Sequence, residues 1–180
     1  MKLFLIRHGE TTANVANLYS GQENAPLTER GRQQAEDLRP ILAQFQFDRV
    51  YSSDLDRAVD TQHLALPGVD GVQLKVLREY SVGTLANQPF QNIGDYSPYG
   101  GESREMVCQR CREFLSLLES DPCDYVAAFS HGGYLKCMLQ VVMDVDYPRS
   151  HVECGNCCIA VFEYVGNTWK LLSWNYGGRL

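Results

Sequence analysis

The chain has 180 residues, 44% hydrophobic and 21% charged, which is ordinary for a globular protein and enough for one domain with a continuous core. Its formal net charge of -6 argues against a general nucleic-acid binder, which would carry a basic stripe, while leaving room for a local positive pocket. Only Lys2 and the apolar run Leu3 to Ile6 separate the first methionine from Arg7, too little for a signal-peptide core or a membrane span, so a cytoplasmic protein with no membrane segment is expected.

In chain order, residues 2 to 6 predict a buried strand. Residues 28 to 44 carry Ala35, Leu38, Ile41 and Leu42 at helical spacing, continued by Phe45, behind Thr28 as N-cap, and predict one helix. Residues 47 to 51 predict a short strand, 55 to 66 a helix and 72 to 76 another strand. Ser103 to Glu119 predicts a helix, Tyr125 to Phe129 an apolar strand and Tyr134 to Val142 a helix. Cys157 to Tyr164 and Trp169 to Trp174 predict two strands joined around Gly166 and Asn167. No repeat, low-complexity tract or linker divides the chain, so a single domain spanning residues 1 to 180 is expected. The alternation predicts an α/β fold, a three-layer α/β/α sandwich with a mostly parallel central sheet covered by helices on both faces. In such a sheet ligands bind beyond the carboxyl ends of the strands.

Seven cysteines are an odd number for a disulfide framework. The Cys108/Cys111 and Cys154/Cys157 pairs have the two-residue gap of a zinc site. Cys108 and Cys111 nonetheless fall on a stretch where Val107, Cys111, Phe114, Leu115 and Leu118 repeat at helical spacing, and Cys157 and Cys158 fall on a predicted strand. Buried reduced thiols, with no metal, are therefore expected.

Three strand-to-helix junctions carry a cation or an imidazole: Arg7 and His8 after the first strand, Arg57 in the first turn of the helix in "SSDLDRAVDT", and His131 in "FSHGG". Each alone is weak, because a first-turn Arg is usually a solvated surface group and a single His usually a structural one. Together, at one edge of a sheet, they suit a phosphoryl group, whose oxygens match the paired donors of a guanidinium. Gly9, Gly132 and Gly133 are expected to let backbone amides approach such an anion. Neither a P-loop nor a dinucleotide fingerprint is present.

Four separated blocks, "LIRHGETTAN", "SSDLDRAVDT", "LRE" at 77 to 79 and "SHGG" at 130 to 133, stand in the order found in the histidine phosphatase superfamily, the phosphoglycerate mutase-like clan, which this chain resembles over most of its length. Within that clan the stretch from Leu5 to Gly31, with "LYSG" at 18 to 21, is most similar to the alpha-ribazole phosphatases of cobalamin nucleotide-loop assembly. The resemblance implies a phosphomonoesterase working through a phosphohistidine, with no cofactor or metal. It implies His8 as nucleophile, Arg7, Arg57 and His131 as ligands of the phosphoryl oxygens, and Asn14, Ser20, Gly21 and Gly132 as further substrate-binding positions. It also implies Glu79 as the group that protonates the leaving alkoxide and then activates water. Read from the residues alone, Glu10, Asp54, Asp56 and Glu102 compete with Glu79 for that role.

The 52 positions from Glu79 to His131 are few for the clan, whose mutases carry a longer insertion there. Where relatives often read Gly-Asp-Trp-Glu-Gly, this chain has Gly83, Thr84, Leu85, Ala86 and Asn87. The expected partner is a small phosphomonoester, with alpha-ribazole 5'-phosphate leading. A mutase-like phosphotransferase, a phosphatase of protein phosphohistidine and an idle phosphate-binding relative are the alternatives.

Overall fold

The computed structural model describes residues 1–91, 93–146 and 151–176. Its sheet contains β1 (Lys2–Arg7), β2 (Arg49–Ser52), β3 (Val72–Gln73), β4 (Tyr125–Ser130), β5 (Ile159–Val165) and β6 (Thr168–Ser173). They lie in the order β3-β2-β4-β1-β5-β6. The first four in that order are mutually parallel, and β5 and β6 extend the sheet antiparallel. The helices are α1 (Thr12–Val15), α2 (Glu29–Glu36), α3 (Arg39–Leu42), α4 (Asp56–Ala65), α5 (Arg104–Ser120) and α6 (Gly132–Met143).

Alternation of side chains along each strand fills two cores. Leu3 and Leu5 of β1, with Val126 and Ala128 of β4, face a cluster closed by Val107, Cys111, Phe114 and Leu118 of α5 and by Leu135 and Met138 of α6. Phe4 and Ile6, with Ala127 and Phe129, face the opposite cluster with Ala35, Leu38, Leu42 and Ala65. Helices thus cover both faces, as the sandwich requires. Among the described residues no helix is long and apolar enough to cross a membrane.

Several boundaries differ from the sequence reading, each for a local reason. The single helix expected over 28 to 44 is two, because Pro40 has no N–H to donate and the chain breaks at Asp37 and Leu38. The helix expected at the first strand-to-helix junction is the short α1. It is started by Thr11 and Asn14, each side chain capping the other's backbone N–H at 3.2 and 3.1 Å. The strand expected over 72 to 76 pairs only at Val72 and Gln73 before curling into a 3-10 turn at Lys75–Leu77. The strand expected from Cys157 begins at Ile159, since Cys157 has a left-handed φ of 57°. The last helix begins at Gly132, two residues earlier than expected, and this matters for the site.

Of the cysteines, Cys123 is half-buried and the other six are buried, all as free thiols. Cys108 and Cys111 point into the core from α5. Residues 177–180, part of the terminal "NYGGRL", lie outside the described residues.

Candidate active site

The register of the sheet assembles the site. Arg7 pairs with Ser130 across the parallel strands β1 and β4. The residues that follow, His8 and His131, therefore emerge side by side at the carboxyl edge, with ring centroids 5.2 Å apart. Arg57 arrives from the next strand, in the first turn of α4 after β2, and is 1% exposed. A cavity of about 250 Å³ opens here, lined among others by Arg7, His8, Asn14, Ser20, Gly21, Arg57, Glu79 and Gly132. Eight of the nine expected site residues thus border one cavity. His131 does not line it but lies against His8, fully buried.

His8 is fixed as one tautomer: its Nδ1–H donates to the Gly9 carbonyl at 2.7 Å, which leaves Nε2 as the ring nitrogen with a free lone pair. Around it lies an excess of donors. Arg57 donates from its two terminal nitrogens to Glu23 O at 2.8 Å and Gly21 O at 2.7 Å. A terminal nitrogen of Arg7 donates to the Cys154 carbonyl. The Nε of both arginines and both ring nitrogens of His131 are buried without a partner among the described residues. Buried polar atoms are rarely left so, and their concentration here marks a place built for an external acceptor.

Two glycines act differently from expectation. The Gly9 amide donates to Thr61 Oγ1 at 3.0 Å, so it is not offered to an anion. Gly9 is required instead because a Cβ there would lie 2.3 Å from the Gly31 carbonyl of α2. The Gly133 amide, at the amino end of α6, donates to Glu79 Oε2 at 2.9 Å, and the Tyr80 amide donates to Glu79 Oε1 at 2.9 Å. The helix end therefore holds a carboxylate at the cavity wall, a favourable placement for a negative group. Gly132 does meet a cavity-lining group: a Cβ there would stand 3.2 Å from Arg7 Nε.

Asn14 spends its carbonyl oxygen on Thr11 N and Asn156 Nδ2, leaving its amide hydrogens to offer. Of the rival carboxylates, Asp54 is bound at 2.6 Å by Arg78, Glu102 by Arg110, and Glu10 by Thr28 Oγ1 at 2.8 Å. Asp56 does not line the cavity, and among the described residues Glu79 is the only carboxylate that does.

Sequence reasoning missed Thr61, whose hydroxyl donates to Arg57 O at 2.6 Å while accepting from Gly9, tying α4 to the loop after β1. It also missed Lys136, Cys154 and an apolar wall of Leu18, Tyr19, Val82, Phe90 and Tyr96, all lining the cavity. Lys136 sits one helical turn after Gly132, so the early start of α6 could have signalled it. The wall comes from irregular segments and carries no periodicity.

The electrostatics follow from burial among cations. His8 has its pKa lowered well below the ordinary value, first by desolvation and then by Arg57 and Arg7, against a raising contribution from the Gly9 hydrogen bond. His131 is lowered by desolvation, then by Arg57, His8, Arg7 and Arg110. Both imidazoles are thus neutral at pH 7, and a neutral His8 is a competent nucleophile. Arg57 is lowered to about 10 by burial, opposed by the Glu79 charge, and stays cationic. Because the folded values lie below that of the unfolded chain, the unfolded state takes up protons first as the pH falls. Stability is complete above about pH 6.5 and is lost below it by about 1.4 kcal/mol per pH unit for each histidine that stays neutral. The melting temperature is expected to fall from pH 7.5 to 5.5, with a shallower slope in His131→Asn. Equal slopes in the two proteins would refute this origin.

A doubly covered sheet whose carboxyl edge carries two neutral imidazoles, one buried and one half-buried guanidinium and one carboxylate defines a phosphoryl-transfer enzyme. A family model of the histidine phosphatase superfamily (branch 1) matches residues 3–177. An adenosylcobalamin/alpha-ribazole phosphatase of Escherichia coli strain K12 is 52% identical over 160 residues, covering 77% of each chain. The alpha-ribazole phosphatase of Shigella flexneri superposes with a TM-score of 0.85 at 28% identity, over 98% of this chain and 96% of that one. A mutant phosphoserine phosphatase of Entamoeba histolytica, in complex with phosphoserine, superposes with a TM-score of 0.87 at 25% identity, over 98% of both chains. The chain belongs to the histidine phosphatase superfamily, and it is an enzyme of the phosphatase type.

Proposed function

We propose that this protein hydrolyses alpha-ribazole 5'-phosphate through a phosphohistidine on His8. The observation that carries the chemistry is the locked His8 tautomer within a ring of unpartnered donors. In the first step the Nε2 lone pair of His8 attacks phosphorus, the bond to the leaving oxygen breaks, and Glu79 gives that oxygen its proton. In the second, Glu79 takes a proton from water, whose oxygen attacks phosphorus and breaks the P–N bond, releasing inorganic phosphate and neutral His8. Arg7, Arg57 and His131 hold the phosphoryl oxygens and the two guanidiniums balance the charge spread over them, which is most of what a protein contributes to phosphoryl transfer. Asn14, Ser20, Gly21 and Gly132 border the same space. The scheme uses no metal.

The substrate assignment rests on the relatives named alpha-ribazole phosphatase and on the apolar wall. The leaving group of alpha-ribazole 5'-phosphate is a ribose hydroxyl whose sugar bears an aromatic base. Beyond the phosphate donors, Tyr19 lies 4.9 Å from Phe90 and 5.6 Å from Tyr96 between ring centroids. Phe90 is 47% exposed, so one face is available to a ring. An added aromatic contact is worth about 0.5–1.5 kcal/mol. Phe90→Ala should therefore lower the selectivity for alpha-ribazole 5'-phosphate over ribose 5-phosphate, measured as a ratio of kcat/KM, by up to about tenfold. An unchanged ratio would remove the wall from substrate recognition. Isomerisation of 3-phosphoglycerate without phosphate release, measured in the same panel, would favour the mutase reading instead.

A further inference from the structure

Glu79 belongs to no helix or strand; it lies between the 3-10 turns Lys75–Leu77 and Gly83–Leu85. A proton donor on irregular backbone needs fixing by other groups, since productive geometry tolerates only about 0.5 Å. We propose that Arg110 and Glu102 form a clamp that positions Glu79 for proton transfer, an inference that rests on the reading of Glu79 as the acid.

Arg110 rises from α5 beneath the segment. Its NH1 donates to Val76 O at 2.9 Å and to Arg78 O at 2.7 Å, and its NH2 donates to Glu79 O at 3.3 Å. Nε and NH2 also donate to the two carboxylate oxygens of Glu102, at 2.9 and 3.0 Å. A guanidinium has five N–H groups, and here each has an acceptor. Glu102 completes the clamp: its Oε2 accepts from Ser81 N at 2.7 Å, and its own amide donates to Ser81 O at 2.8 Å.

One ion pair therefore holds the backbone at residues 76, 78, 79 and 81. Its side chains are only 16% and 14% exposed, so the hydrogen bonds compete little with water. Gln22 Nε2 adds a bond to Glu79 O at 3.1 Å, and Asp54 holds the Arg78 side chain from the other side with two bonds of 2.6 Å. Neither Arg110 nor Glu102 lines the cavity, so neither touches substrate. Both are positioning residues. Lysine cannot replace Arg110, because three donors on one nitrogen cannot span three carbonyls and a carboxylate.

The test compares leaving groups. A primary alkyl phosphate needs the proton, whereas 4-nitrophenyl phosphate leaves almost without it. In Arg110→Lys, kcat on the alkyl ester is expected to fall by about 10- to 100-fold, the scale of a 1 Å misplacement, against less than about threefold on the nitrophenyl ester. Inhibition by inorganic phosphate should be unchanged, since the phosphate donors are untouched. Glu102→Gln keeps an oxygen for Ser81 N but loses the ion pair. It should shift the same ratio by about fivefold and serves if Arg110→Lys does not fold. Equal losses on both esters, or none on the alkyl ester, would overturn the clamp. Glu79→Gln is run in parallel: absence of leaving-group dependence there defeats the acid assignment itself, while dependence there but in neither clamp variant defeats the clamp alone.

Discussion

Replacing His8 by alanine is expected to reduce turnover on the order of 10⁵- to 10⁶-fold, because on the proposed route His8 is the nucleophile, and removing it from a set of groups that act together closes the pathway rather than weakening it. The fold should survive, since the side chain lost makes one hydrogen bond, to Gly9 O. Inorganic phosphate should still bind, because Arg7, Arg57 and His131 remain. Rapid quenching of the wild-type enzyme with labelled substrate should trap label as an acid-labile phosphoramidate that is missing in His8→Ala. A variant that keeps most of its activity, or wild-type enzyme that traps no label under fast turnover, would rule out the covalent route.

The second large effect is expected at Glu79. General acid catalysis is worth about 10²- to 10⁴-fold, so Glu79→Gln should slow an alkyl phosphate by that much while sparing a nitrophenyl phosphate to within about tenfold. The substitution has a second consequence. Each Glu79 oxygen accepts a backbone amide, from Tyr80 and from Gly133. A glutamine can accept only one of them and turns its NH₂ toward the other donor, at a cost of about 1–3 kcal/mol. A modest fall in melting temperature should therefore accompany the kinetic change. If both esters slow equally, the proton comes from elsewhere, although the other carboxylates weighed here, Glu10, Asp54, Asp56 and Glu102, stay outside the cavity.

The strands buried on both faces were legible in the sequence because their side chains report both cores at once. Residues 3 to 6 and 126 to 129 are buried along their whole length, and an apolar run between polar ends announces that. The break at Pro40 could have been read from that residue alone, because proline removes a donor wherever a helix runs through it. The short reach of β3 could not. Val72 is an exposed edge residue, and whether the next residues pair or curl depends on where Ser52 ends.

The same division holds in the site. His8, Arg7, Arg57 and His131 drew attention by their positions just after strands, at fixed offsets from regular elements, whereas Glu79, on irregular backbone, came only from the resemblance of its block. The roles of Gly9 and Gly133 were misread, because a sequence does not reveal which acceptor a backbone amide meets. The chain by itself determined the order of elements, the residue types at three strand ends and the tautomer lock available to His8 from its own neighbour. Tertiary structure decided the rest. Parallel register brought residue 8 beside residue 131. Five donors of Arg110 found acceptors spread over residues 76 to 102, and an aromatic wall came together from irregular segments. Contacts between distant segments leave no periodic trace along the chain, and they exist only once the two cores have closed.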